Sequence, residues 1–159
     1  MGVRALGVSR RMKTENRIVI EAPWAEVFDA AARVEAWPDF LAHYRWVRVD
    51  PWAGDEREVR MSASRSGFPC WWTADQRLEK PKKRIHYLHT HSAFTRGMDV
   101  WWHLNALGPK RTEVVLTHTM PKESYFMSLF RERVVGGFFV HAIAEKTLAG
   151  VKRHLEERA

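Results

Sequence analysis

The sequence contains a single cysteine, Cys70, among its 159 residues. One thiol excludes an internal disulfide framework and the familiar four-ligand zinc modules, and it fits a reducing compartment. No apolar run approaches the roughly 18 residues of a membrane-spanning helix, and residues 1–13 lack the apolar stretch of a signal peptide. We therefore expect a soluble, cytoplasmic protein that spans no membrane and holds no metal or cofactor.

The chain is basic, because 26 Lys and Arg side chains against 19 Asp and Glu side chains give a formal net charge of +7. A hydrophobic fraction of 45% and a charged fraction of 28% are ordinary for a globular protein and exclude a disordered one. We predict a flexible basic tail over 1–13 and a single domain over 14–159. No groove-reading helix or exposed aromatic stack accompanies the basic runs, so we expect no nucleic-acid binding.

Tryptophan and phenylalanine are abundant, with 8 residues of each. Their flat apolar area exceeds what a small core requires, so a large flat ligand is one interpretation. The other interpretation is that some indole rings pack in the core and others lie at its rim.

The spacing of apolar residues predicts an α+β domain. Segments of strand composition occur at 17–21, 46–49, 56–64, 70–79, 84–91, 98–107 and 112–119. Helical spacing after a proline predicts two short helices that follow the first strand in the sequence, at 24–33 and 38–42. A long apolar stripe from 124 to 155 predicts a C-terminal helix. Together these elements predict a seven-stranded curved antiparallel sheet wrapped around that long helix.

This order of elements resembles the helix-grip fold of START-like (SRPBCC) proteins. Three segments carry a closer resemblance: RIVIEAPWAEVFDAAARVEAWPDFLAHY at 17–44, WWTADQRL at 71–78 and MDVWWHL at 98–104. They are similar to the aromatase/cyclase branch of the polyketide cyclase/dehydrase family. The resemblance implies a cavity between the sheet and the long helix that takes a hydrophobic small molecule.

Two functions are expected from this resemblance. In the first, a polyketide delivered by an acyl carrier protein folds in the cavity and undergoes aldol closure and dehydration to an aromatic ring. In the second, the protein carries a quinone, a lipid or another hydrophobic small molecule without reaction. A regulatory or protein-binding role is a third alternative.

The resemblance also implies catalytic and lining residues. Arg77 matches the inward arginine of the family, Tyr44 matches its tyrosine, and the aromatic lining corresponds to Trp37, Trp71 and Trp102. Aldol closure passes through an enolate, and a cation such as Arg77 stabilises that charge in a poorly hydrated pocket.

Strand alternation extends this set of predicted site residues. Trp71, Thr73, Asp75 and Arg77 share one face of their strand, which we predict to face the cavity. Asp75 is either an acid or base for the reaction or an ion-pair partner of Arg77. The remaining predicted cavity residues are Met98, Val100, Phe138 and His141. His141 interrupts the apolar stripe and is either a core histidine or a residue that contacts the ligand or transfers a proton.

Two further residue types have a simpler interpretation. His89 and His91 share a strand face, but no carboxylate at helical spacing completes a closed metal site. Cys70 has no obvious partner base, so we interpret it as a buried, inert thiol.

Overall fold

Seven strands, all antiparallel, form one sheet in the computed structural model, which describes residues 13–65, 67–92, 95–120 and 136–158. They are β1 (Lys13–Ile20), β2 (Tyr44–Val49), β3 (Glu56–Arg65), β4 (Phe68–Glu79), β5 (Arg84–Ser92), β6 (Asp99–Gly108) and β7 (Arg111–Thr119). Their order across the sheet is β1-β7-β6-β5-β4-β3-β2. The predicted seven-stranded antiparallel sheet is confirmed.

β1 begins at Lys13 instead of at Arg17, where the sequence placed its start. Lys13 lies opposite Thr119 and Asn16 lies opposite Leu116, so the polar residues 13–16 complete the ladder with β7. Backbone pairing does not require apolar side chains, which is why composition alone missed this part of the strand. The rest of the predicted tail, residues 1–12, lies outside the described residues.

Two short helices follow β1, as predicted. α1 (Trp24–Ala32) buries Val27, Phe28 and Ala31. A 3₁₀ turn joins it to α2 (Trp37–Phe40), which has Pro38 in its first turn. Proline is tolerated there because its missing N–H has no partner within the helix in any case.

The third helix, α3 (Gly136–Glu156), crosses the sheet and packs against β1, α1 and α2. Lys152 Nζ donates a hydrogen bond to the Val19 carbonyl at 2.7 Å, and Glu156 Oε1 accepts one from the Glu21 N–H at 2.9 Å. The sequence predicted this helix from residue 124, and the stretch 121–135 lies outside the described residues. No helix within the described ranges is long and apolar enough to cross a bilayer.

The pairing of β3 with β4 decides which face of the sheet meets α3. Met61 pairs with Trp72 and Val59 pairs with Ala74, and all four residues are buried. On the other face, Glu58 pairs with Asp75, and both carboxylates require water. The even-numbered positions of β4 therefore face inward.

Candidate functional site

A cavity of about 80 Å³ lies between the inner face of the sheet and α3. Apolar and aromatic side chains make up most of its wall. The wall consists of Trp37, Tyr44, Met61, Cys70, Trp72, Tyr87, His89, Thr95, Met98, Val100, Trp102, Leu116, His118, Val140, Ile143, Ala144 and Thr147.

Four aromatic residues form a connected cluster in this wall. The ring of Trp37 lies 5.0 Å from that of Tyr44 and 5.9 Å from that of Trp102, measured between centroids. Tyr44 also meets Trp72 edge to face at 6.2 Å. Trp37 Nε1 donates to the Ala30 carbonyl at 2.9 Å, so its polar atom is satisfied by α1. The cluster therefore presents apolar ring surface to the cavity.

The Tyr44 hydroxyl is the end of a short hydrogen-bonded chain that leads toward the surface. It lies 3.4 Å from Thr147 Oγ1 on α3, which in turn lies 3.0 Å from Nε2 of the half-buried His43. Thr147 also donates to the Ile143 carbonyl at 2.8 Å. Burial raises the pKa of Tyr44 to about 12. The hydroxyl thus stays protonated and can donate a hydrogen bond.

Two histidines in the wall are held neutral by burial. Desolvation lowers the pKa of His89 to about 3 and that of His118 to about 4. His89 Nδ1 lies 2.7 Å from Thr95 Oγ1. His118 Nδ1 is buried and has no hydrogen-bond partner in the described part of the chain. Neutral imidazoles can donate and accept hydrogen bonds, but groups with such low pKa values are weak bases.

A buried arginine near this wall, Arg57, forms hydrogen bonds within the fold and does not face the cavity. Arg57, only 6% exposed, donates to Gln76 Oε1 at 2.6 Å, to the Ala32 carbonyl at 3.1 Å and to Glu35 Oε2 at 2.8 Å. Gln76 Nε2 donates to the same carbonyl at 2.9 Å. These bonds satisfy the Ala32 carbonyl at the C-terminal end of α1 and hold the guanidinium against that helix. It is not part of the cavity wall.

Several of the sequence-predicted residues do come together in the cavity. Trp37, Tyr44, Met98, Val100 and Trp102 all line it. Phe138 was also predicted to line the cavity, and its side chain lies outside the described residues.

The prediction that the odd-numbered face of β4 lines the cavity is wrong. Trp71 is 51% exposed, Asp75 is exposed, and the Arg77 side chain is 43% exposed with Nη2 at 3.3 Å from Glu79 Oε1. Thr73 is buried but is not part of the cavity wall. The alternation along β4 was predicted correctly, but the wrong face was assigned to the cavity. The apolar residues of β3 pair with the even-numbered residues of β4, which therefore face inward.

His141 is also placed differently from the prediction. It is exposed on α3, while Val140, Ile143, Ala144 and Thr147 face the cavity. Ala144, Leu148, Val151 and Leu155 of the predicted stripe are buried, so the stripe identifies the packed face of α3, and the assignment of His141 to that face is wrong.

Sequence reasoning missed Trp72, His89, His118 and Thr147 as lining residues. A usable signal existed in β3, whose sequence EREVRMSASR places Val59, Met61 and Ala63 on one face. Pairing that face with β4 selects Trp72 instead of Trp71. No group of three or more metal-ligating side chains occurs in the described ranges.

A second concavity, the outer cleft, lies between α1, the C-terminal end of α3 and the turn before β7. Its wall is mainly polar and carries charges of both signs, including Glu21, Asp29, Arg33 and Arg158. Two of its three acids are engaged by surface partners, since Asp29 lies 3.7 Å from Lys80 Nζ and Glu21 lies 3.5 Å from Arg111 Nε. It has the character of a solvated surface, and the inner cavity is the candidate site.

Comparison with known proteins identifies the family. The sequence profile described as "Polyketide cyclase / dehydrase and lipid transport" matches residues 20–144. The chain belongs to this family. No curated protein matches the sequence.

Solved structures share the fold of this polyketide cyclase/dehydrase family member. The Zhui aromatase/cyclase from Streptomyces sp. R1128 superposes with a TM-score of 0.79 at 19% identity, covering 94% of this chain and 96% of that one. A START superfamily protein from Mycobacterium smegmatis gives 0.75 at 13% identity, covering 94% and 100%. The di-domain ARO/CYC BexL from the BE-7585A biosynthetic pathway gives 0.69 at 22% identity, covering 92% of this chain and 46% of that one. The predicted helix-grip fold is confirmed by these neighbours.

Proposed function

We propose that this protein binds a neutral, hydrophobic small molecule that carries a hydrogen-bonding oxygen, and that it holds this molecule in the inner cavity without reaction. The observation that carries the proposal is the chemistry of the wall. Within the described residues the wall holds aromatic and aliphatic side chains, neutral polar groups such as Tyr44, His89 and His118, and no charged side chain. Such a site favours an apolar body with few polar atoms and disfavours an ion.

The family description supports a hydrophobic ligand, since it covers both cyclisation and lipid transport. Cys70 lines the cavity as a free thiol, and burial raises its pKa. A thiol in this state is inert toward the ligand and fits a reducing environment. We propose a cytoplasmic location for this binding activity.

The cavity is small relative to the proposed ligands. Its volume of about 80 Å³ is roughly half of the 150 Å³ in which an apolar engineered cavity holds benzene. A ligand with more than one ring therefore requires side chains of the wall to move. Met61 and Met98 are the most adaptable of them, because an unbranched thioether has three rotatable bonds and repacks at low cost.

Native mass spectrometry of the purified protein and a matched ligand set test the binding proposal. 2-Naphthol and 2-methylnaphthalene should bind and quench the fluorescence of the wall tryptophans, whereas the charged 2-naphthoate should bind about tenfold or more weakly. A co-purified apolar molecule would support the same conclusion. Equal binding of the anion, or no binding of any of the three, would overturn the proposal.

Two variants of α3 locate the binding event. Ala144 lines the cavity and is 3% exposed, whereas Ala149 is exposed on the same helix. Ala144→Leu adds three carbons inside the cavity and should abolish binding, while Ala149→Leu adds them in solvent and should leave it unchanged. Loss of binding in both variants would place the ligand elsewhere.

A second candidate function is aldol cyclisation and dehydration of a polyketide in the same cavity, with the substrate delivered by an acyl carrier protein. The position of Tyr44 favours it, because its protonated hydroxyl lies in the wall and can donate to a ketone oxygen. Arg77 is not in the wall, so enolate charge would depend on neutral donors alone. This weaker stabilisation is why binding without reaction is the first proposal.

The two candidates are separated by turnover. Incubation with a carrier-protein-bound poly-β-ketone, followed by mass spectrometry for loss of water, should give no product above the background if the protein only binds. Product formed by the wild type, reduced about tenfold or more by Tyr44→Phe with substrate binding retained, would establish the enzyme instead.

A further inference from the structure

Three buried polar atoms without hydrogen-bond partners lie on the inner face of the sheet. They are Thr14 Oγ1, Asn16 Oδ1 and His118 Nδ1, and within the described residues the only other such atom is Arg77 Nε on the outer face. Buried polar atoms are almost always satisfied in folded proteins, because leaving one unpaired costs stability. A group of three on one face is therefore a feature that requires an explanation.

The register of β1 and β7 brings these three residues together. Thr14 lies directly opposite His118, and Asn16 lies opposite Leu116. Leu116 and His118 both line the cavity, so Thr14 and Asn16 lie on the same face of the sheet, directly behind that part of the wall and not within it. Directly opposed side chains in an antiparallel pair have Cβ atoms about 4.5–5.5 Å apart. Asn16 is diagonal to His118, and such diagonal neighbours lie about 7–8 Å apart. The three residues thus form one polar patch beside the part of the wall that Leu116 and His118 supply.

The patch is rich in hydrogen-bond acceptors. Asn16 is 7% exposed, and its Nδ2 donates to the His141 carbonyl of α3 at 3.4 Å, which leaves its Oδ1 as an acceptor. Thr14 Oγ1 can donate one hydrogen bond and accept others, and a neutral imidazole nitrogen of His118 can accept one. No charged side chain belongs to the patch. A ligand group that suits it is neutral and carries an O–H or N–H.

We propose that Thr14, Asn16 and His118 form a polar subsite that accepts hydrogen bonds from a hydroxyl group at one end of the cavity ligand. This inference rests on the proposed binding function and narrows its ligand class to molecules with an apolar aromatic body and a terminal alcohol or phenol. The rings of Trp37, Trp72 and Trp102 contact the apolar body of the ligand, and the patch accepts a hydrogen bond from the hydroxyl at its other end.

The first test compares 2-naphthol with 2-methoxynaphthalene, which has the same rings and oxygen but cannot donate. Wild-type protein should prefer 2-naphthol by about tenfold, the effect of one buried hydrogen bond. Thr14→Val and Asn16→Leu should reduce this preference to less than about threefold while 2-methoxynaphthalene binding is retained. Thr119→Val is the matched control, since Thr119 lies opposite Lys13 and one position from His118, on the other face of the strand. An unchanged preference in the first two variants would overturn the subsite.

The second test uses the protein without ligand. Valine has nearly the shape of threonine, so Thr14→Val removes an unpaired buried oxygen and should raise the melting temperature by about 2–4 °C. Thr119→Val should change it by less than about 1 °C. A lower melting temperature for Thr14→Val would mean that the hydroxyl supports the fold, and the subsite would be rejected.

These measurements separate failure of the subsite from failure of the binding proposal. Binding that Ala144→Leu blocks, without any preference for 2-naphthol, would leave the cavity function intact and reject the subsite. A higher melting temperature for Thr14→Val combined with no preference would mean that the hydroxyl is unpaired but does not contact the ligand, which also rejects the subsite. If no naphthalene binds the wild type, the binding proposal fails, and the subsite, which rests on it, fails with it.

Discussion

His89 lies nearly parallel to Trp72, with 7° between the ring planes and 5.5 Å between their centroids. Its Nδ1 lies 2.7 Å from Thr95 Oγ1, and the residue is 6% exposed. The imidazole is therefore fixed on one side by an indole and on its edge by a hydroxyl. Water is largely excluded from it, so the neutral form is the stable one.

The two histidines of the cavity wall predict how stability depends on pH. The pKa of His89 is lowered to about 3 and that of His118 to about 4 by burial, whereas unfolded histidines titrate near 6.5. Below about pH 6.5 the unfolded chain binds protons that the folded protein does not, so the free energy of unfolding falls as the pH falls. Each histidine contributes up to about 1.4 kcal/mol per pH unit in this window.

The variant His89→Phe tests this dependence in urea denaturation from pH 7.5 to 4.5. It keeps a ring against Trp72 but removes the titrating group, so the decline in stability toward low pH should become shallower. His91→Phe, at an exposed position on the same strand, should retain the wild-type slope. Parallel slopes for wild type and His89→Phe would show that His89 is protonated in the folded state.

The contact between Tyr44 and Thr147 gives a second prediction. Thr147→Val removes the hydroxyl that hydrogen-bonds to the side chains of Tyr44 and His43 and to the Ile143 carbonyl. Two side-chain groups then lose a partner, so the free energy of unfolding should fall by about 1–3 kcal/mol. Thr147→Ser keeps the hydroxyl and should recover most of that loss. A serine variant as unstable as the valine variant would point to packing of the methyl group, and not to the hydroxyl.

The sequence predicted the fold well because strand and helix periodicity persist over many residues. All seven strands and both short helices were found, and β1 was shortened because Lys13 and Asn16 have polar side chains. These residues are held by backbone pairing with β7, which single-strand composition does not contain. The order of elements along 17–155 was enough to identify the helix-grip architecture.

The site was predicted less well, because the inward face of a strand depends on its neighbours. Alternation along β4 separates Trp71 and Arg77 from Trp72 and Gln76, but it does not say which set is buried. The pairing of β4 with the buried residues Met61 and Val59 of β3 shows that the set containing Trp72 is the buried one. His118 and Thr147 come from elements far apart in the chain, and only the three-dimensional arrangement brings them to one cavity.

Truncation of the two arginines of the β3–β4 pair should change stability by very different amounts. Arg57→Ala leaves Gln76 and the Ala32 carbonyl without their charged donor, so we expect a loss of about 2–4 kcal/mol in the free energy of unfolding. Arg77→Ala removes a half-exposed side chain, and a change within about 0.5 kcal/mol is expected. Urea denaturation measures both.

Arg77→Ala should also leave the affinity for 2-naphthol unchanged within about twofold, because Arg77 stands on the outer face of the sheet. Fluorescence titration beside Ala144→Leu gives the comparison. An affinity loss of tenfold or more, without a change in stability, would mean that Arg77 contacts the ligand. It would contradict the placement of Arg77 on the outer face of β4.

The last prediction concerns the contact of α3 with the loop after α2. A Cβ atom on Gly150 would overlap Leu41 Cδ2, and Leu41 is only 1% exposed. Glycine inside a helix costs about 1 kcal/mol relative to alanine, so the residue is retained against its helix propensity. Gly150→Ala should nevertheless lower the free energy of unfolding by about 1 kcal/mol, since overpacking a closed core outweighs that gain.

A double-mutant cycle with Leu41→Ala isolates this contact. Truncating Leu41 provides room for the new methyl group, so Gly150→Ala should be neutral or stabilising in that background, with a coupling energy of about 1–2 kcal/mol. Ala149→Gly, at the exposed neighbouring position, measures the propensity term alone and should cost about 1 kcal/mol. If Gly150→Ala stabilises the wild type by the amount that Ala149→Gly destabilises it, the helix does not approach Leu41 closely, and the position of α3 over the cavity would need revision.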